Sequence, residues 1–183
     1  MRLFIAINFN DEVKDRIYST AVRLKEMSRF GNFSKKENLH LTLTFIGETK
    51  RSGDVIDVLD KISFKPFEIE ISKLGRFLRG GKDIYWLGVR APAVLGEIAN
   101  KLSKDLVALG FDIDGRSFRP HLTIGREVVM DDGFDMQEFS SGVKPISFTV
   151  RSISLMKSER IAGKLTYTQL YAVNSKIAQT DLA

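Results

Sequence analysis

Two histidines are present in the chain, and each opens the same short phrase: His40-Leu41-Thr42-Leu43 and His121-Leu122-Thr123-Ile124. Neutral imidazole can take a proton near pH 7 and imidazolium can give one, so two of them facing a shared cleft form a general base and general acid pair. Both phrases alternate as strands do, which places His and Thr on one face and the aliphatic residues on the other. A single His-Leu-Thr would read as ordinary strand sequence, because Thr belongs in strands. Two copies that use every histidine in the chain argue instead for chemistry, with Thr42 and Thr123 supplying hydroxyls beside the rings.

The elements that must position these residues repeat as well. An apolar run, Leu3 to Ile7, precedes His40, and a second, Ile84 to Val89, precedes His121. Ile5 to His40 spans 40 − 5 = 35 positions, and Trp86 to His121 spans 121 − 86 = 35. A helical pattern of similar length lies between each run and its histidine. The expectation is two strand-helix-strand halves, each bringing one His-Leu-Thr strand to a common centre.

In chain order, Arg2 to Phe9 is a predicted strand. Asn10-Asp11 offers an N-cap for a helix to about Met27, with Val13, Ile17, Ala21 and Leu24 as its buried stripe. Arg29 to Ser34 reads as a loop or short edge strand, and the His40 strand ends at Gly47. Ser52 or Asp54 is the predicted cap of a second helix through Ile62. Pro66 to Phe77 alternates as a half-buried strand, and Glu68 to Phe77 forms a hairpin, across the turn Arg79-Gly80-Gly81-Lys82-Asp83, with Ile84 to Val89. These glycines do not match a phosphate-loop spacing, and no helix starts directly after them. Pro92 suits the first turn of a helix that stops at Gly110. Phe111 to Phe118 leads into the second histidine strand. A polar connector from Asp131 carries at most a short helical piece near Met136 to Phe139. Ile146 to Met156 and Leu165 to Val173 are two further strands, joined through Ser158-Glu159-Arg160 and a Gly163 turn.

No linker rich in Pro, Gly or Ser divides the chain, so residues 1–173 are expected as one α+β domain, bilobal and pseudo-twofold, with mainly antiparallel sheets around a central cleft. Residues 174–183 are expected as a tail. A chain of 183 residues with 43% hydrophobic content can bury a sizeable core. It contains no run of about 20 apolar residues, and Met1-Arg2-Leu3-Phe4-Ile5 passes straight into a strand-like segment, which points to a cytoplasmic protein without membrane association. The absence of cysteine removes disulfides, thiolate nucleophiles and zinc-thiolate sites. With no acidic cluster around either histidine, no metal and no other cofactor is expected. A formal charge of +5 favours a polyanionic partner.

At these residues the chain resembles the two-histidine (2H) phosphoesterases, in particular the RNA 2′,3′-cyclic phosphodiesterases also called 2′-5′ RNA ligases. The resemblance rests on the two His-Leu-Thr phrases in their wider settings, His40 to Gly47 and Arg119-Pro120-His121-Leu122-Thr123-Ile124-Gly125-Arg126. It implies metal-free hydrolysis of a terminal 2′,3′-cyclic phosphate to a 2′-phosphate. The partners it implies are RNA ends, tRNA-like or oligonucleotide, met by a monomer.

Opening a cyclic phosphodiester with water requires a base for the nucleophile, an acid for the departing ribose oxygen and donors for the phosphoryl oxygens. His121 is assigned as the base and His40 as the acid, the reverse assignment remaining open under the pseudo-symmetry. Thr42 and Thr123 are assigned to the phosphate. Arg126, five residues beyond His121, resembles the arginine that the family uses there. Phe45 falls on the core face if alternation holds, whereas the resemblance implies that it stacks on the terminal base. Arg119 either meets RNA phosphates or merely precedes Pro120. Tyr85 and Trp86 are base-stacking candidates that central-strand position makes better core residues. A noncatalytic module holding RNA ends and a phosphoesterase for a small cyclic or 2′-5′-linked nucleotide are the competing functions.

Overall fold

The structure is a computed structural model that describes residues 1–176. Nine strands and four helices follow one another as β1 (Arg2–Asn8), α1 (Asp11–Glu26), β2 (Ser28–Phe33), a 3-10 turn (Lys36–Asn38), β3 (His40–Glu48), α2 (Ser52–Asp60), β4 (Phe67–Phe77), β5 (Asp83–Arg90), α3 (Ala93–Ala108), β6 (His121–Met130), α4 (Met136–Ser141), β7 (Ile146–Val150), β8 (Ser152–Ile161) and β9 (Lys164–Asn174). The strands form two sheets, ordered β3-β1-β8-β9 and β2-β6-β5-β4-β7, in which neighbouring strands pair antiparallel. One histidine strand lies in each sheet, as the internal repeat predicts.

Local chemistry explains where the helices start and stop. Asn10 caps α1 through its side-chain oxygen, which accepts from the Val13 amide at 3.0 Å, and acidic Asp11 and Glu12 occupy the positive end of the helix dipole. Helix α3 begins just after Pro92, and its chain reverses at Gly110, where φ is +81°. Neither Ser52 nor Asp54 caps α2. Arg51 holds the cap position without a side-chain bond to the helix amides, and its Nε donates instead to the Asp54 carboxylate at 2.6 Å. That helix ends at Asp60, although Ile62 is still buried.

The two halves interlock. Helix α1, from the first half, packs on β2, β6 and β7 of the five-stranded sheet, while α3, from the second, packs on β3 and α2 packs on β9 of the four-stranded one. One continuous core therefore joins Leu3, Ile5 and Ile7 of β1 to Leu102 and Leu106 of α3 and to Leu122 and Ile124 of β6. Each histidine strand is fixed by apolar packing on its rear face, which leaves its other face for the cleft.

The expected single strand from Ile146 to Met156 is two strands. The chain leaves the five-stranded sheet, where β7 pairs with β4, and enters the four-stranded sheet, where β8 pairs with β1. The burial pattern changes with it, from alternation in β7 to a continuous buried run from Ile153 to Met156 in β8. Ser158, Glu159 and Arg160, expected in the connection, lie within β8 and pair with β9, and the turn falls at Ala162 and Gly163. Three residues assigned to the tail, Asn174 to Lys176, are held by backbone bonds. Asn174 pairs with Ser152, and the Ser175 and Lys176 amides donate to the carbonyls of Arg151 (2.7 Å) and Phe64 (2.8 Å). Residues 177–183 lie outside the described residues.

Candidate active site

Both imidazoles are oriented by the same device. The Nδ1 of His40 lies 2.7 Å from the carbonyl oxygen of Asn38, and the Nδ1 of His121 lies 2.7 Å from that of Arg119, two residues upstream in each case. A carbonyl only accepts, so the shared contact assigns the proton of the neutral ring to Nδ1 and leaves Nε2 as the acceptor nitrogen of each ring. Pro120 helps to hold the Arg119 carbonyl in place by keeping the preceding residue extended. The backbone of Arg119 thus serves the site directly, and its side chain is exposed.

The two Nε2 atoms differ in company. That of His40 lies 3.0 Å from Thr42 Oγ1, whose hydroxyl donates to it in this tautomer. The His121 Nε2 has no protein hydrogen-bond partner among the described residues. Thr123 lies on the same strand face as His121, beside Trp86 in the register, and its carbonyl accepts from the Ser34 hydroxyl at 3.1 Å.

Aromatic walls flank both rings. His40 packs against Phe4, with centroids 4.8 Å apart, and edge-on against Tyr167 at 5.1 Å. His121 meets Phe77 edge-on at 5.2 Å and Trp86 at 6.0 Å. Desolvation among these neighbours lowers the proton affinity of His40, and the positive charges of Lys14 and Arg126 add to the effect, partly offset by the bond to Asn38. Burial likewise raises the Tyr167 phenol against the opposing charges of Arg126 and Arg2. Arg126 belongs to β6 yet acts on two residues of the opposite sheet, so it bridges the cleft electrostatically. The positive charges of Lys14 and Arg126 at His40 make this a place where an anion gains.

Phe45 is where strict alternation fails. The β1–β3 ladder carries two irregularities, so that Phe4 pairs with Phe45 and Ala6 with Thr42, with Ile46 and Leu43 skipped. Residues opposite one another in a ladder share a face. The bulges therefore turn Phe45 onto the face of His40 and Thr42, and the expectation that it joins the core is overturned: it is 46% exposed, with the Arg2 guanidinium 5.0 Å from its ring centroid. Tyr85 is core, at 1% exposed, as central-strand position predicts. Trp86 is only partly buried and backs His121.

Several cleft residues escaped the sequence. Phe4 sat inside an apolar run, but Phe4, Ala6 and Met156 form a small cluster of their own, with Tyr167 packed against it. Asn8, Tyr167 and Gln169 come to His40 only through pairing of β1 and β8 with their neighbours. A hint was present in the placement of polar Asn8 at the end of an apolar strand, opposite His40. Among the described residues no group of three or more His, Cys, Asp or Glu side chains gathers, and no helix is long and apolar enough to cross a membrane.

The family described as the 2′-5′ RNA ligase superfamily matches residues 12–162. The RNA 2′,3′-cyclic phosphodiesterase of Archaeoglobus fulgidus is 34% identical over 131 residues, 69% of this chain and 72% of that protein. That of Methanothermobacter thermautotrophicus is 28% identical over 184 residues, covering 93% and 96%. Among solved structures, E. coli LigT complexed with 3′-AMP superimposes with a TM-score of 0.79 at 26% identity, over 96% of this chain and 98% of that one.

Proposed function

Since the chain belongs to the 2′-5′ RNA ligase superfamily, we propose that it hydrolyses the 2′,3′-cyclic phosphate at RNA ends to a 2′-phosphomonoester, acting as a monomer without a metal. The observation that carries this reading is the paired orientation of the two imidazoles, each held at Nδ1 by the carbonyl two residues upstream and each offering Nε2 to the cleft.

In this reading His121 Nε2, which no protein group occupies, takes a proton from water as the water oxygen attacks phosphorus. The bond from phosphorus to O3′ breaks, and His40 Nε2 delivers a proton to that oxygen. Water and the cyclic ester are consumed, and a 2′-phosphate and a free 3′-hydroxyl are left. Thr42 turns its hydroxyl from His40 to a phosphoryl oxygen, Thr123 donates from the other strand, and Arg126 opposes the charge that grows on the phosphate. Burial lowers the proton affinity of His40 in the free protein. The anionic substrate supports the proton that it must then carry, so binding and protonation are coupled. With a 5′-hydroxyl in place of water, the same steps produce a 2′-5′ phosphodiester, which is the ligase reaction.

Product analysis with a short RNA ending in a 2′,3′-cyclic phosphate tests the proposal. Wild type should yield only the 2′-phosphate, and His40→Ala and His121→Ala should each lose about 10²- to 10⁴-fold in turnover while folding normally. A 3′-phosphate product, or near wild-type turnover in either variant, would defeat the paired acid and base.

A further inference from the structure

A cavity of about 200 Å³ adjoins His40, bounded by Asn8, Lys14, Met156, Tyr167 and Gln169. About six or seven waters would fill it, which is room for a planar heterocycle. Its polar wall is organised by a relay of hydrogen bonds. Ser154, buried beneath it, donates from its hydroxyl to Gln169 Oε1 at 2.9 Å. Asn8 Nδ2 donates to the same oxygen at 3.2 Å and also contacts the Met156 sulfur at 3.3 Å. These contacts assign the orientation of both amides. They leave Asn8 Oδ1, an acceptor, and Gln169 Nε2, a donor, without protein partners among the described residues. One acceptor and one donor are thus left on the wall of the cavity that His40 also lines.

We propose that this pocket receives the base of the terminal nucleotide and reads its hydrogen-bonding edge through Asn8 and Gln169, with Tyr167 as an aromatic wall. The proposal rests on the phosphodiesterase reading, which places the terminal ribose at His40. A fixed acceptor and donor pair sorts bases in a particular way. Adenine and cytosine each present an amino donor next to a ring-nitrogen acceptor, whereas guanine and uracil present a carbonyl acceptor next to a ring N–H. In a base held by its ribose, one pair matches the two amides and the other opposes them. The discrimination therefore divides amino bases from keto bases, not purines from pyrimidines. Gln169→Glu is the informative change, because the carboxylate keeps the acceptor for Ser154 and Asn8 and puts an acceptor in place of the outward donor, while its added charge acts on all four nucleotides alike.

The four nucleoside 2′,3′-cyclic phosphates are compared by kcat/KM, and the four 2′-monophosphates by calorimetric affinity, in wild type and Gln169→Glu. The expected result is a division of about tenfold or more between the adenosine and cytidine pair and the guanosine and uridine pair. It should appear in both measurements, and Gln169→Glu should erase or invert it with the circular dichroism unchanged. Equal values across the four bases, a division by ring size, or a division that persists in Gln169→Glu would overturn the assignment. If no cyclic nucleotide is hydrolysed by wild type, the catalytic reading fails, and the affinities of the 2′-monophosphates still decide whether the pocket discriminates.

Discussion

The indole of Trp86 lies over Gly75 on the neighbouring strand, so closely that a Cβ at position 75 would overlap its six-membered ring. Trp86 in turn sits edge-on to His121, with Phe77 completing the wall. The glycine makes space for an aromatic residue that braces the His121 imidazole, and no other residue type leaves that face of β4 flat.

Gly75→Ala should therefore act on the site as well as on the fold. Overpacking of this kind costs about 1–3 kcal/mol, and the displaced indole withdraws support from His121, so turnover should fall further than KM rises. Replacing Trp86 by Leu in the same variant removes the overlap and should restore stability, measured by denaturant unfolding, without restoring full activity. A Gly75→Ala protein as stable as wild type would mean that the indole has room to move.

The pH profile follows from the low proton affinity of His40. In free protein, desolvation and the charges of Lys14 and Arg126 disfavour its imidazolium. A bound cyclic phosphate adds a negative charge and favours it. The rate should be bell-shaped, and its alkaline limb should lie at higher pH for kcat, which reports the complex, than for kcat/KM, which reports the free enzyme. Limbs that coincide would show that His40 is not the group that must be protonated.

Folding stability senses the same shift with a definite sign. The folded pKa of His40 lies below its ordinary value of 6.5, so as pH drops through 6.5 the unfolded chain takes up a proton that the folded chain refuses. Stability should decline from 6.5 down to the folded value and be indifferent to this residue above that window. His40→Gln should remove that part of the decline, seen as a smaller difference in unfolding midpoint between pH 7.5 and pH 5.5 than wild type gives.

How much of this was legible in the sequence depends on whether a feature is local. The two strand-helix-strand halves could be read because apolar runs, helical stripes and the His-Leu-Thr phrases are patterns within one stretch of chain. The exchange of helices between sheets could not, since α1 carries the same apolar stripe whichever sheet it covers. Ile146 to Met156 reads as one strand because its composition is uniformly suited to β structure, and only the burial of Ile153 to Met156 by two neighbouring strands separates β8 from β7. Phe45 was misplaced because bulges reset strand parity without marking the sequence. Asn8 and Gln169, which are 161 positions apart, share a hydrogen bond that no spacing rule anticipates.

Chelation gives a direct test of the proposed mechanism, which assigns no step to a metal. In the proposed mechanism two proton-transfer groups and the cations Lys14 and Arg126 supply what a divalent ion would otherwise provide at a phosphoryl centre. Hydrolysis should be unchanged after dialysis against excess chelator. A loss of activity that added divalent ion restores would replace this mechanism with a metal-assisted one.

The last prediction separates the reacting phosphate from the rest of an RNA chain. Arg79 and Lys82 stand exposed on the β4–β5 turn, whose base carries Phe77 against His121, so they flank the cleft without entering it. Each cation that pairs with a single-stranded phosphate contributes about 0.7 to the slope of log affinity against log salt. Oligonucleotide binding should therefore weaken steeply with salt, and a mononucleotide cyclic phosphate much less. Removing Arg79 and Lys82 together should flatten the slope for the oligonucleotide only and leave turnover at saturation intact. Arg126→Ala should instead lower turnover on both ligands, because the charge that it opposes develops on the phosphate being cleaved. Equal salt slopes for the two ligands would favour a small nucleotide as the substrate, since the cations beyond the cleft would then have no phosphates to meet.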